Sequence, residues 1–263
     1  MDAQRHFHRC EKLEALMKER IQAAKQPPDF LYMPIPLMIA IDGPAASGKS
    51  TLGFRLAEAL HYLYFDTGLM YRAVTWLALK RGIDLKNEFA VTQLAEDVPI
   101  EVSPASLEDG RACDVVVDGF DITGEISTPE IDANVSTVAA YPGVRKALTL
   151  QQRRIGMRGR VVMVGRDIGT VVLPEADLKI YLDASPEERA RRRYQEVVKR
   201  EGRSSYEETL AQAVERDRID STRAVAPLKP APDAIILNSD HLNADQAFEK
   251  AYDLCMKQRY LPE

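Results

Sequence analysis

Cysteine is scarce in this chain: there are three in 263 residues, Cys10, Cys113 and Cys255, far apart and without a CxxC pair. Four histidines are equally scattered. That pattern excludes a disulfide framework and a zinc site as organising devices, and reduced structural thiols are expected. Long apolar runs are missing, so nothing matches the ~20 residues a bilayer span needs. The first twenty residues, MDAQRHFHRCEKLEALMKER, lack the apolar core of a secretory signal. Both absences point to the cytoplasm. Basic charge is not in excess either: 35 Lys and Arg face 40 Asp and Glu, for a net charge of −5. A protein that coats nucleic acid or an anionic membrane is therefore not expected. Internal repeats and low-complexity tracts are absent too, and 45% hydrophobic residues are ample for a packed core.

Residues 1–36 read as a helical appendage. Leu13, Leu16, Met17 and Ile21 recur at helical spacing, and Pro27, Pro28, Pro34 and Pro36 then stop any helix. Such a helix packs on the domain or mediates self-association; its mixed charges argue against a membrane surface. From Leu37 the pattern becomes α/β. LMIAID (37–42), Tyr62 to Phe65, RVVMVG (160–165), LKIYLD (178–183) and AIILN (234–238) are short buried-type strands. Charged helical segments alternate with them, which predicts a parallel sheet flanked by helices. Within a region of about 96–143, VPIEVSP, CDVVVDG and DITGEI are β-prone pieces between turns, read as a small antiparallel insertion.

The strongest chemical signal is GPAASGKST, Gly43 to Thr51, which fits GxxxxGK[ST] between a buried strand and a helix. In such a loop, Gly43, Pro44, Ala45, Ala46, Ser47 and Gly48 turn backbone N–H groups towards phosphate oxygens, and the next helix aims its positive end at them. Lys49 bridges the outer phosphates, and Ser50 holds Mg²⁺. The predicted fold is thus a P-loop NTPase-type sheet. No NKxD-type guanine reader is present, DITG falls in the β-rich insertion, and RVVMVG ends in glycine rather than an acid; these features argue against a GTPase or a motor.

Four further blocks follow in order: DTGLMYR (66–72), GRDIGTVVLPEA (165–176), LDASPEERARRR (182–193) and ERDRIDSTRAVAPL (215–228). With the P-loop, they resemble the bacterial cytidylate kinase family from about Ile39 to about Tyr260. The resemblance implies ATP-dependent phosphorylation of CMP or dCMP with Mg²⁺, an acceptor-binding insertion and an arginine-bearing helical lid at about 185–205. Transfer between two phosphate chains needs cations and positioning more than acid–base groups. Arginine suits this because its planar fork pairs two phosphate oxygens and stays charged.

By resemblance, Thr67 and Arg72 sit on the acceptor-phosphate side, and Arg166 is another phosphate ligand. Ser136, Arg145 and Asp167 read the cytosine ring, Arg216 and Asp220 lie near the ribose, and Arg223 closes over the phosphates. Arg192 and Arg193 belong to the lid. A carboxylate at Asp167 accepts from cytosine's exocyclic amine and repels the carbonyl oxygen that uracil carries there. Singly, each has a plainer reading: Asp167 as a helix cap, RARRR as a solvated face, Asp220 with Arg223 as a surface pair, Trp76 as core. The chain departs from the family at Val164, where an acid is common, and at Ile219 and Ser221, where arginines are common; residues 1–36 have no counterpart. The rival readings are the same chemistry on UMP, dTMP or a small phosphorylated metabolite, and a nucleotide-dependent switch protein.

Overall fold

The structure, a computed structural model, describes residues 35–201 and 205–257, with only the backbone at Arg200 and Glu201. The helical appendage read over residues 1–36, and the self-association read from it, fall outside the described part except for residues 35 and 36.

Five strands form the main sheet: β1 (Met38–Asp42), β2 (Leu63–Asp66), β6 (Val161–Gly165), β7 (Leu178–Asp183) and β8 (Ile235–Asn238). Their spatial order is β2-β6-β1-β7-β8, and every pairing is parallel. The sequence dictates this. Strands apolar at nearly every position must be covered on both faces, and alternate residues indeed enter different cores. Ile39, Ile41, Val162, Val164, Ile180 and Leu182 point to one side. Ala40, Val161 and Met163 point to the other.

The first side is covered by α1 (Lys49–Leu60) and α8 (Ala244–Lys257). The second is covered by α2 (Gly68–Lys80), α3 (Glu88–Asp97), α4 (Pro129–Ala140) and α5 (Pro142–Gly156). Local chemistry sets several helix starts. Asn87 caps α3 by accepting from the Ala90 N–H at 3.1 Å, and Thr128 caps α4 ahead of Pro129. Trp76 packs against this second core and carries the Lys80 ammonium over its ring at 4.2 Å, a structural role.

The insertion is a separate antiparallel sheet of β3 (Ile100–Pro104), β4 (Cys113–Val117) and β5 (Phe120–Asp121). Its third strand is shorter than the β-prone DITGEI suggests: Ile122 still donates to the Val115 carbonyl, but the Val115 N–H donates to Thr123 Oγ1 rather than back to Ile122, and Glu125 closes a turn on Ile122. α6 (Pro186–Glu201) and α7 (Tyr206–Thr222) supply the arginine-rich segment. A π-helix, Ile168–Val172, follows β6 directly. Such local over-wide turns frequently mark functional sites.

Candidate active site

Parallel strands deliver all their carboxyl ends to one edge, the place where α/β sheets bind ligands. The P-loop follows β1, Asp66 ends β2 with Thr67 after it, Arg166 and Asp167 follow β6, Leu182 lies near the end of β7, and Ser239 follows β8. Together with α4, α5, α6 and α7 they enclose a cleft of about 840 Å³.

The P-loop takes its shape from three positive-φ positions, two of them glycines. Gly43 has φ 147°, Ala46 58° and Gly48 95°. A Cβ at Gly43 would lie 2.1 Å from the Leu182 carbonyl oxygen, so no side chain fits there. Gly48 ends the loop, and α1 starts at Lys49 with the free N–H groups of a helix terminus directed at the site. Lys49 is buried, and its ammonium donates to the Pro44 carbonyl at 2.5 Å and to Ser47 Oγ at 3.4 Å. Burial first, and then the charge of Arg166, pushes its pKa well below the ordinary lysine value. A cation so poorly solvated gains strongly from an arriving phosphate anion.

Two carboxylates near this loop are absent from the sequence-based assignment of the site. Asp42, at the end of β1, accepts from the Ile168 and Gly169 N–H groups, both at 2.7 Å. Both its oxygens are therefore committed to tying the P-loop strand to the segment after Asp167. Burial lifts its pKa to about 6 against the opposing pull of those two bonds. Asp66 accepts from Ser50 Oγ at 3.1 Å and from the Gly68 N–H at 2.9 Å. Ser50 and Asp66 together form a hard-oxygen pair beside the P-loop, the ligand chemistry that Mg²⁺ takes alongside nucleotide phosphates. Val164 supplies no acid here; its side chain packs against Gly53 of α1, inside the core.

The acceptor side gathers most of the residues expected of it. Thr67 Oγ1 donates to the Val164 carbonyl at 3.0 Å. Arg72 donates to the Ile126 carbonyl at 3.1 Å and pairs with Asp132, one turn before Ser136 on the same face of α4. That i, i+4 spacing was a legible signal for Asp132. Ser136 lines the cleft. Arg145 is buried on α5; its Nη1 donates to the Ala139 carbonyl at 3.1 Å and its Nη2 to Asp167 Oδ2 at 2.5 Å. Arg145 Nε has no partner among the described residues. A buried unpaired donor costs about 1–3 kcal/mol, a cost that a ligand acceptor removes. Asp167 starts the π-helix but makes no side-chain cap, so its carboxylate belongs to the arginines.

Arg223 approaches Asp167 at 3.4 Å and Asp220 at 3.5 Å, and Arg166 donates to Asp220 at 3.0 Å. The Asp220–Arg223 spacing is thus no surface pair: both side chains are largely buried in one alternating network. Arg216 also lines the cleft, without an ion-pair partner among the described residues. Burial, and then Arg166, weakens its hold on its proton, and burial does the same to Arg223.

The lid arginines divide in a way their run does not reveal. Arg193 lines the cleft and pairs weakly with Glu196 at 3.4 Å. Arg192 instead braces the loop, donating to the carbonyls of Ser47 at 3.2 Å and Ser239 at 2.5 Å. Arg189, absent from the assignment, is fully buried, donates to the Ala45 carbonyl at 3.2 Å and pairs with Asp217. Arg191 also lines the cleft at its rim, exposed and paired with Glu188 at 2.7 Å.

A phosphate cradle facing a second cluster of arginines and carboxylates defines a P-loop phosphotransferase with two anionic substrates. The comparisons agree. The cytidylate kinase family profile matches residues 39–257. A cytidylate kinase of Chloroflexus aggregans is 52% identical over 210 residues, 80% of this chain and 90% of that protein. One from Anoxybacillus flavithermus is 49% identical over 214 residues, 81% and 93% respectively. A bifunctional pantoate ligase/cytidylate kinase of a Synechococcus strain is 46% identical over 238 residues, 89% of this chain and 43% of that one. The chain belongs to the cytidylate kinase family. Among the described residues no helix is long and apolar enough to cross a membrane.

Proposed function

We propose that this chain transfers the γ-phosphoryl group of ATP to CMP or dCMP, giving ADP and the diphosphate. The observation that carries the reading is the second charged site across the cleft from the P-loop, with the buried Asp167–Arg145 pair at its inner end. ATP places its phosphates on the loop N–H groups and Lys49. Ser50, with Asp66 beside it, would hold Mg²⁺, which would screen charge on the transferring group.

The acceptor phosphate rests among Thr67, Arg72, Arg166 and Arg223. Its oxygen already carries charge near neutrality, so no base is needed. That oxygen attacks the γ-phosphorus, the bond to the bridging oxygen breaks, and ADP leaves with the electron pair. Arg166, Arg193, Arg216 and Arg223 cancel repulsion between the two chains. Asp167 accepts from the cytosine amine, while Arg145 and Ser136 donate to the ring; Arg216 and Asp220 face the ribose. We place the enzyme in the cytoplasm with its substrates.

The test is stoichiometry. With ATP, Mg²⁺ and CMP, the protein forms ADP and CDP in equal amounts and releases little phosphate. ADP formed without CDP, at a rate indifferent to CMP, would instead favour a nucleotide-dependent switch.

A further inference from the structure

Tyr71 sits between two residues of the acceptor site in sequence, and the mechanism above gives it no task. It lies on α2 with its side chain buried at the cleft wall, 7% exposed. The Arg145 guanidinium carbon stands 5.4 Å from its ring centroid. Burial would weaken the Arg145 cation, and Tyr71 and Asp167 more than offset it.

Arg145 and Gln152 are seven residues apart on α5, two turns on one face. Tyr71 sets its ring against the guanidinium, and its hydroxyl feels the Gln152 side chain further along the helix. Gln152 is 1% exposed and its Nε2 has no well-formed hydrogen bond among the described residues, yet the side chain acts on the Tyr71 hydroxyl. A buried amide left without a full partner has a cost, and packing alone would be served as well by leucine. Burial also pushes the phenol up to about 12, so it stays neutral.

We propose that Tyr71, backed by Gln152, is a positioning residue for base recognition: its ring face fixes the plane in which Arg145 meets Asp167 and the incoming pyrimidine. The Ala139 and Asp167 bonds anchor two nitrogens but leave the guanidinium free to tilt about the line between them. An aromatic face removes that freedom through cation–π attraction. The inference rests on the base-reading role of Arg145 and Asp167.

The experiment compares Tyr71→Leu, Tyr71→Phe, Gln152→Met and Arg145→Met, measuring kcat and KM for CMP, UMP and ATP together with thermal stability. Tyr71→Leu is expected to raise KM for CMP about tenfold and to narrow the CMP-over-UMP ratio of kcat/KM by a similar factor. KM for ATP stays put, and Tyr71→Phe, which keeps the ring, restores most of the loss. Gln152→Met shifts the same ratio in the same direction, less. An unchanged ratio in Tyr71→Leu overturns the proposal. If that variant does not fold, an unchanged ratio in Gln152→Met does so instead. Where Arg145→Met alone collapses the ratio, Tyr71 is mere packing and the base-reading assignment stands. Where Arg145→Met also leaves it intact, the assignment falls and takes the proposal with it.

Discussion

Replacing Asp167 by asparagine separates what this carboxylate does for the fold from what it does for the acceptor. The side chain is 7% exposed and faces two guanidiniums, Arg145 at 2.5 Å and Arg223 at 3.4 Å. Removing one partner of a buried pair costs about 3–5 kcal/mol. Asparagine keeps one acceptor oxygen, and Asp220 still faces Arg223 at 3.5 Å. The cost should therefore lie below that range, about 2–3 kcal/mol, against a typical stability of about 5–15 kcal/mol. The variant stays folded with Tm lower by about 5–10 °C. Selectivity changes more. The carboxylate accepts from an amine and repels a carbonyl, whereas an amide can donate to that carbonyl. The preference for CMP over UMP in kcat/KM should drop by about a hundredfold. Paired assays of ADP release with each nucleotide, alongside thermal melts, read both quantities. A variant whose Tm falls as expected while its CMP preference is untouched would refute the reasoning.

Lys49→Met keeps the aliphatic stem and removes an ammonium that burial already disfavours. Turnover should fall by at least about a thousandfold, while the denaturant midpoint of the ligand-free protein holds or rises; retained turnover would sink the role given to this residue. Asp42 gives a pH signature of defined sign. Its folded pKa is raised from 3.8 to about 6, so its contribution is present below the unfolded value and is lost as pH rises through the folded one. The stability of the wild type, referenced to Asp42→Asn, should fall by about 2 kcal/mol between pH 4 and pH 7. Parallel pH profiles of the two proteins would contradict it.

The strands were legible because burial on both faces forces nearly continuous apolar runs, and the P-loop was legible because its glycines have no substitute. Strand ends differ by a residue or so, as at β1, where pairing starts at Met38 rather than Leu37. What the sequence hid depends on partners far away in the chain. The task of Asp42 shows only when Ile168 and Gly169, more than a hundred residues on, take both its oxygens. The RARRR run shows four cations and no faces. Only packing shows Arg192 donating to the loop carbonyls, Arg191 and Arg193 half-exposed at the cleft rim, and Arg189, the first of the run, buried beneath the P-loop. Nothing in the motif announced the π-helix after Asp167, whose first two N–H groups donate to Asp42.

The central claim is tested most directly by ADP release from ATP and Mg²⁺ with CMP, dCMP, UMP, AMP, GMP or dTMP at one fixed concentration. Strong stimulation by CMP and dCMP, with the other four far behind, is the predicted result. Equal or greater stimulation by any of those four would contradict the base-reading role of Asp167, Arg145 and Ser136.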